Sequence, residues 1–356
     1  MRFLFFREVS MKYTTLPHTD IKVSKICLGT MTWGRQNTQE EGFAQMDLAL
    51  DTGINFFDTA ELYPVPAQPK TQGRTSEIIG NWFKKTGNRD KVVLASKIIG
   101  RVSDYTAHVR STGFSNDSIK EAVDKELKRL QTDYIDLYQL HWPERKTNTF
   151  GQRGYKHDTT DPWKDNFNEV LHTLENIIKE GKIRHIGLSN EKAWGTMRFL
   201  EESKIHGLPR MITIQNAYSL LNRTFEGDLA EISLRENIGL LPYSTLAFGR
   251  LTGKYIKGND SPNSRLNLFP QLSRYNSVKA IEASKRYLKI AEEHNISPAQ
   301  MALAFVNQQP FVTSNIIGAT SIEQLKENIN SVNVTLSKDV LKAINKVQDE
   351  IPNPAP

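Results

Sequence analysis

A single cysteine, Cys27, among 356 residues leaves no internal disulfide and no cysteine-based metal site. The expected setting is a reducing cytoplasm. Long apolar runs are missing as well: Phe3-Leu4-Phe5-Phe6 is broken by Arg7 and Glu8, and no later stretch approaches the roughly 20 apolar residues that a membrane span requires. Met11-Lys12 reads as a second possible start, which makes residues 1–10 an adventitious extension and 11–356 the domain proper. The net charge of +6 is dispersed, without a Lys/Arg block or interleaved aromatics, so nucleic acid is not expected as a partner. A glycine-rich Gly-x-Gly-x-x-Gly turn after the first strand is also lacking, which argues against an open dinucleotide-binding sheet. Gly249 to Lys254 superficially resembles a P-loop, but its glycines are one residue too close and Tyr255 stands where a hydroxyl residue is needed. Nucleoside-triphosphate binding is rejected.

What is present is a long alternation of short apolar runs and helical patterns. A hairpin of Tyr13–Pro17 and Ile21–Ser24 precedes strands expected at 26–28, 55–57, 92–97, 134–140, 184–188, 211–214, 239–243 and 315–317. Helices are expected near 40–51, 75–84, 167–180, 192–203, 225–236, 321–330 and 338–349. Another is marked by Ile119, Ala122, Val123, Leu127 and Leu130 with Ser118 as its cap, and one is opened by Ser297-Pro298. Eight strand–helix units argue for closure into a (β/α)₈ TIM barrel of α/β class, with the hairpin at its closed end and a last helix as an appendage. Residues 143–162 and 244–276 form two long loops over the mouth.

Three strands end on groups that carry chemistry: Asp58, Lys97 and His141, with Tyr63 one short loop after the first. Taken singly, Asp58 reads as a helix cap, Lys97 as a solvated strand end and His141 as a packed residue. In a closed barrel they converge at the C-terminal face. An ammonium beside a phenol is expected to lower the phenol's pKa from about 10, and a carboxylate keeps that ammonium charged. A phenol so placed is able to donate a proton to a carbonyl oxygen, and a neutral His141 is able to hold that oxygen by a hydrogen bond.

Set in Phe57-Asp58-Thr59-Ala60 and Leu140-His141-Trp142-Pro143, these four residues match the tetrad of the aldo-keto reductases, which the chain resembles over nearly its whole length. The resemblance points to the branch that includes the potassium-channel β subunits and bacterial members, and Gln131-Thr132-Asp133-Tyr134 and Ile214 to Leu220 resemble segments of a bacterial member. It implies NADPH as cofactor and reduction of small aldehydes or ketones. Ser189, Asn190 and Gln215 would hold the nicotinamide carboxamide, Tyr243 would stack on the ring, and Gly29, Thr30 and Met31 would line its other side. Ser244, Leu246, Ala247, Gly249, Leu251 and Lys254 would lie along the pyrophosphate, and Arg265 at the adenine end. Gly318-Ala319-Thr320 and the helix bearing Gln324, Glu327 and Asn328 would receive the 2′-phosphate at a helix start. Trp33 and Trp142 are expected to wall the substrate space, with Phe150–Thr160 and the tail closing it. Other readings are an NADPH-binding redox sensor or scaffold, against which His141 speaks, and a Schiff-base barrel using Lys97. No metal, nucleic acid or membrane is expected to take part.

Overall fold

In the computed structural model, which describes residues 10–356, eight parallel strands succeed one another in one sheet. The proposed extension therefore lies, apart from Ser10, outside the described residues. A hairpin of β1 (Tyr13–Thr15) and β2 (Lys22–Ser24) comes first. The barrel strands are β3 (Ile26–Gly29), β4 (Phe56–Asp58), β5 (Val93–Ile98), β6 (Ile135–Leu140), β7 (Ile183–Ser189), β8 (Met211–Gln215), β9 (Gly239–Leu240) and β10 (Asn315–Ile317). Each pairs in parallel with the next, and β10 returns to β3. The last gap is closed by Leu240 N–H to Phe311 O, Thr313 N–H to Leu240 O and Ile316 N–H to Pro242 O, all at 2.9–3.0 Å. The fold is a (β/α)₈ TIM barrel with an N-terminal hairpin.

Side-chain alternation along the strands divides the core in two. Phe56, Ala95, Leu137 and Ile316 point inward and meet Leu16 and Val23 of the hairpin, which plugs the bottom of the barrel. Phe57, Leu94, Tyr138 and their equivalents point outward against the helices. The same period of two puts Asp58, Lys97 and Gln139 on the inward face, one layer above Phe56, Ala95 and Leu137. That layer is where the apolar filling ends and polar chemistry begins.

The helices before the second long loop are α1 (Gln39–Asp51), α2 (Arg74–Thr86), α3 (Asn116–Leu130), α4 (Phe167–Lys179), α5 (Ala193–His206) and α6 (Asp228–Arg235). The second loop contains the short α7 (Lys254–Lys257) and α8 (Arg265–Leu268). It is followed by α9 (Val278–Glu293), α10 (Pro298–Asn307), α11 (Ile322–Asn330) and the appended α12 (Lys338–Glu350), which packs on α9. Ser297 caps α10 with Pro298 in its first turn, as its sequence suggests.

Two helix expectations differ. The cap of α3 is Ser115, whose hydroxyl accepts from the Ser118 N–H, so the helix starts three residues earlier than the apolar spacing implies and Ser118 lies inside it. The helix expected over 225–236 is split into a tight turn, Thr224–Glu226, and α6, because Gly227 adopts a non-helical backbone (φ −69°, ψ −100°).

Candidate active site

The ends of β4, β5 and β6 bring Asp58, Lys97 and His141 together, and the loop after β4 folds Tyr63 over them. Lys97 is fully buried, not a solvated strand end. Its Nζ donates to Asp58 Oδ2 at 2.7 Å and to the Thr59 carbonyl at 2.7 Å, and lies 3.4 Å from the Tyr63 hydroxyl and 4.8 Å from that ring's centre. The other Asp58 oxygen accepts from Gln215 Nε2 at 2.8 Å and Gln139 Nε2 at 3.4 Å. The tetrad is thus held from four strands and one loop.

Burial works against the Lys97 ammonium, but Asp58 and Tyr63 beside it hold its pKa above the usual lysine range. For Tyr63 the expectation of a lowered pKa is corrected. Lys97 does pull the phenol down, but burial, aided by the Asp58 charge, outweighs it and the pKa is raised. His141 is pushed well below the usual histidine range by burial and by Lys97, so it is neutral at pH 7. Its ring stands edge-on to Tyr63 at 5.9 Å, and its Nδ1 is buried without a hydrogen-bond partner.

Above this cluster opens a cavity of about 2350 Å³. It is lined by Asp58, Tyr63 and His141 together with Gly29, Thr30, Met31, Ser189, Asn190, Gln215, Tyr243, Ser244, Leu246, Gly249, Lys254, Arg265, Gly318, Thr320, Gln324, Glu327 and Asn328. Ser189 Oγ donates to Gln215 O, Asn190 Nδ2 to His141 O, and Tyr243 Oη to Asn190 Oδ1 at 2.5 Å, which ties the ends of β6, β7 and β8 to the segment after β9. Ala247 and Leu251 do not line the cavity. Ala247 is fully buried with its N–H on Ser244 O, and the Leu251 N–H is taken by Leu246 O.

At the other end of the cavity, the Trp142 ring lies tilted 4.7 Å from His141 and meets Phe150 edge-on at 5.9 Å, and Pro352, Pro354, Ala355 and Pro356 complete the rim. Trp33 is a correction. The 30–37 turn directs its indole outward, where it is fully buried against α1 and α2 with Nε1 on Gln45 Oε1 at 3.2 Å.

Three buried residues escaped the reading by motif. Gln139 spans Asp58 and Gln215, and Glu61 is clamped by Arg110 at 2.5 and 3.0 Å in the loop leading to Tyr63. Glu126 lies on the inward face of α3. Its signal was legible: position 126 falls at helical spacing from Ile119, Ala122, Val123 and Leu130, on the apolar face.

A parallel barrel with a buried Asp–Lys pair under a phenol and a neutral histidine, at the mouth of a long cavity, describes an oxidoreductase of the aldo/keto reductase type. The chain belongs to the aldo/keto reductase family, whose model matches residues 25–349. It is 47% identical to Protein tas of Escherichia coli over 97% of this chain and all of that one. It is also 34% identical to the uncharacterized oxidoreductase YrpG of Bacillus subtilis, over 95% of this chain and 96% of that one. Norsolorinic acid reductase B of Dothistroma septosporum is 28% identical over 95% of this chain and 81% of its own length.

Proposed function

We propose that this protein is an NADPH-dependent reductase of aldehydes and ketones, with Tyr63 as the general acid. The observation that carries the reading is the buried contact set Asp58–Lys97–Tyr63, which serves no packing purpose that an apolar residue would not serve better.

The residues around the cavity suit an anionic dinucleotide. Arg265 is buried at its wall with no carboxylate partner among the described residues: its guanidinium donates to Gln36 Oε1 and Val65 O, and its Nε has no partner. Burial lowers its pKa to about 10, which still leaves it charged at neutral pH. Lys254 lies over Gly249, where an added Cβ would sit 2.9 Å from its Cε. The cofactor, when bound, supplies the hydride. Arg265 and Lys254 would hold its phosphates, Thr320 and Gln324 at the start of α11 the 2′-phosphate, Asn190 and Gln215 the carboxamide, and Tyr243 the ring face.

The remaining steps belong to the tetrad. His141, uncharged, donates a hydrogen bond to the carbonyl oxygen and orients it toward Tyr63. As negative charge develops on that oxygen, Tyr63 Oη releases its proton to it, and Lys97, kept charged by Asp58, stabilises the phenolate left behind. Trp142 and Phe150 offer flat apolar surface to the rest of the substrate, which favours aromatic carbonyl compounds. Met31, Leu246, Glu327 and Asn328 complete the cofactor wall. The protein acts on a small molecule in the cytoplasm. None of the helices in the described residues is long and apolar enough to cross a membrane.

The test is NADPH oxidation at 340 nm with 4-nitrobenzaldehyde. Wild-type protein should turn over, and Tyr63→Phe should lose at least about 100-fold in kcat while still binding NADPH. Turnover retained by Tyr63→Phe would refute the assignment.

A further inference from the structure

The Asp58–Lys97 pair bridges two strands that are already joined by their backbone ladder, and a side-chain network outside the barrel ties their ends together a second time. Because side chains alternate, the residues next to the pair, Thr59 and Ser96, point away from the cavity. Both lead to one atom. Ser96 Oγ donates to Glu126 Oε1 at 2.7 Å, and Ser76 Oγ of α2 donates to the same oxygen at 2.6 Å. Ser76 Oγ in turn lies 3.2 Å from Thr59 Oγ1, and the Thr59 carbonyl is one of the two oxygens that hold Lys97 Nζ.

Glu126 is completely buried, and burial pushes its carboxyl pKa up while Ser76, Arg129 and Ser96 pull it back. A carboxyl group without solvent on the apolar face of a helix is costly unless its hydrogen bonds are needed. The network continues toward the acid. Arg129, 3.5 Å from Glu126 Oε2, donates to Gln72 Oε1 at 3.2 Å, and Gln72 Nε2 donates to the Glu61 carbonyl at 2.6 Å, two residues before Tyr63. Gly73 makes room for that guanidinium: at φ +81°, an added Cβ would sit 2.5 Å from Arg129 Nε.

We propose that Glu126 is a positioning residue for proton transfer, a peg on α3 that sets Asp58 and Lys97 through Thr59 and Ser96 and steadies the Tyr63 loop through Arg129 and Gln72. It rests on the reading of Tyr63 as the acid. Glu126 touches neither cofactor nor substrate, so its effect belongs to kcat. A displacement of the ammonium from the phenol by about 1 Å is enough to cost on the order of 100-fold.

The experiment compares Glu126→Met, which keeps the length but accepts no hydrogen bond, with Glu126→Gln, whose amide oxygen can still accept from both serines. With 4-nitrobenzaldehyde, Glu126→Met should lose at least about tenfold in kcat, with KM for NADPH within about twofold of wild type, and Glu126→Gln should recover most of the loss. Ser96→Ala should show a smaller loss of kcat that is not additive with Glu126→Met, and it decides the matter if Glu126→Met does not fold. Unchanged kcat in Glu126→Met and Ser96→Ala, or a Glu126→Gln no better than Glu126→Met, overturns the proposal. Tyr63→Phe run alongside separates the two ideas: if it is inactive while the Glu126 variants match wild type, only the peg is wrong.

Discussion

Gln215 Nε2 donates to Asp58 Oδ1 at 2.8 Å, the oxygen that Lys97 does not take. A side chain expected to read the cofactor therefore also anchors the carboxylate of the tetrad, and both Asp58 oxygens are committed before any ligand arrives. The pair is strongly asymmetric in what its loss would do. Asp58→Asn removes the carboxylate that, among the described residues, pairs with a fully buried ammonium. Urea denaturation should show about 3–5 kcal/mol lost, with turnover falling as Lys97 loses its reason to stay protonated.

The pH dependence of reduction follows from the directions of the shifts. On the proposed mechanism Tyr63 acts in its protonated form, and its pKa is raised, so the acid form persists through the neutral range and is lost only above about pH 10. His141 must be neutral to play its part, and its pKa is depressed well below 6.5, so it stays neutral down through that value. The kcat profile should be flat from about pH 6 to 9 and fall on the alkaline side. A bend near pH 6.5 that disappears in His141→Gln would contradict this.

Arg265 is a buried charge with no carboxylate partner among the described residues. Arg265→Ala should weaken NADPH binding by about tenfold or more, since a charge-assisted contact is worth roughly 1.5–3 kcal/mol. Fluorescence titration of the reduced nicotinamide measures it directly.

The two tryptophans should separate cleanly. Trp33→Phe strands the Gln45 amide in the core and should cost about 1–3 kcal/mol of stability without altering KM for any carbonyl substrate. Trp142→Ala, at the cavity wall, should raise KM for aromatic aldehydes more than for small aliphatic ones. Thermal denaturation and steady-state kinetics on the two variants suffice.

Trp142 directly follows a strand end, so its place is set by the barrel, whereas Trp33 lies in a turn whose direction depends on a backbone bridge between Trp33 and Asn37. Asp58, Lys97 and His141 are legible because a strand end shows as a polar residue closing an apolar run, and Tyr63 because it follows the first of them by one short loop. A glutamate in an amphipathic helix is ordinarily a solvated one, and only the phase of Glu126 relative to Ile119 and Leu130 says otherwise. Strand β9 shrank to two residues since Pro242 cannot donate to a ladder. The helix cap at Ser115 rather than Ser118 turns on one hydrogen bond that spacing does not encode.

Gly29 ends β3, and a Cβ there would lie 2.8 Å from Ile316 Cγ2 and 2.9 Å from Ile317 O of β10. The stretch in which the early and late parts of the chain join is thus also a wall of the reaction chamber. Neither half of the polypeptide can hold a working chamber by itself. Turnover is in this sense an assay of completed assembly: a protein that reduces a carbonyl compound has already brought residue 29 against residue 316.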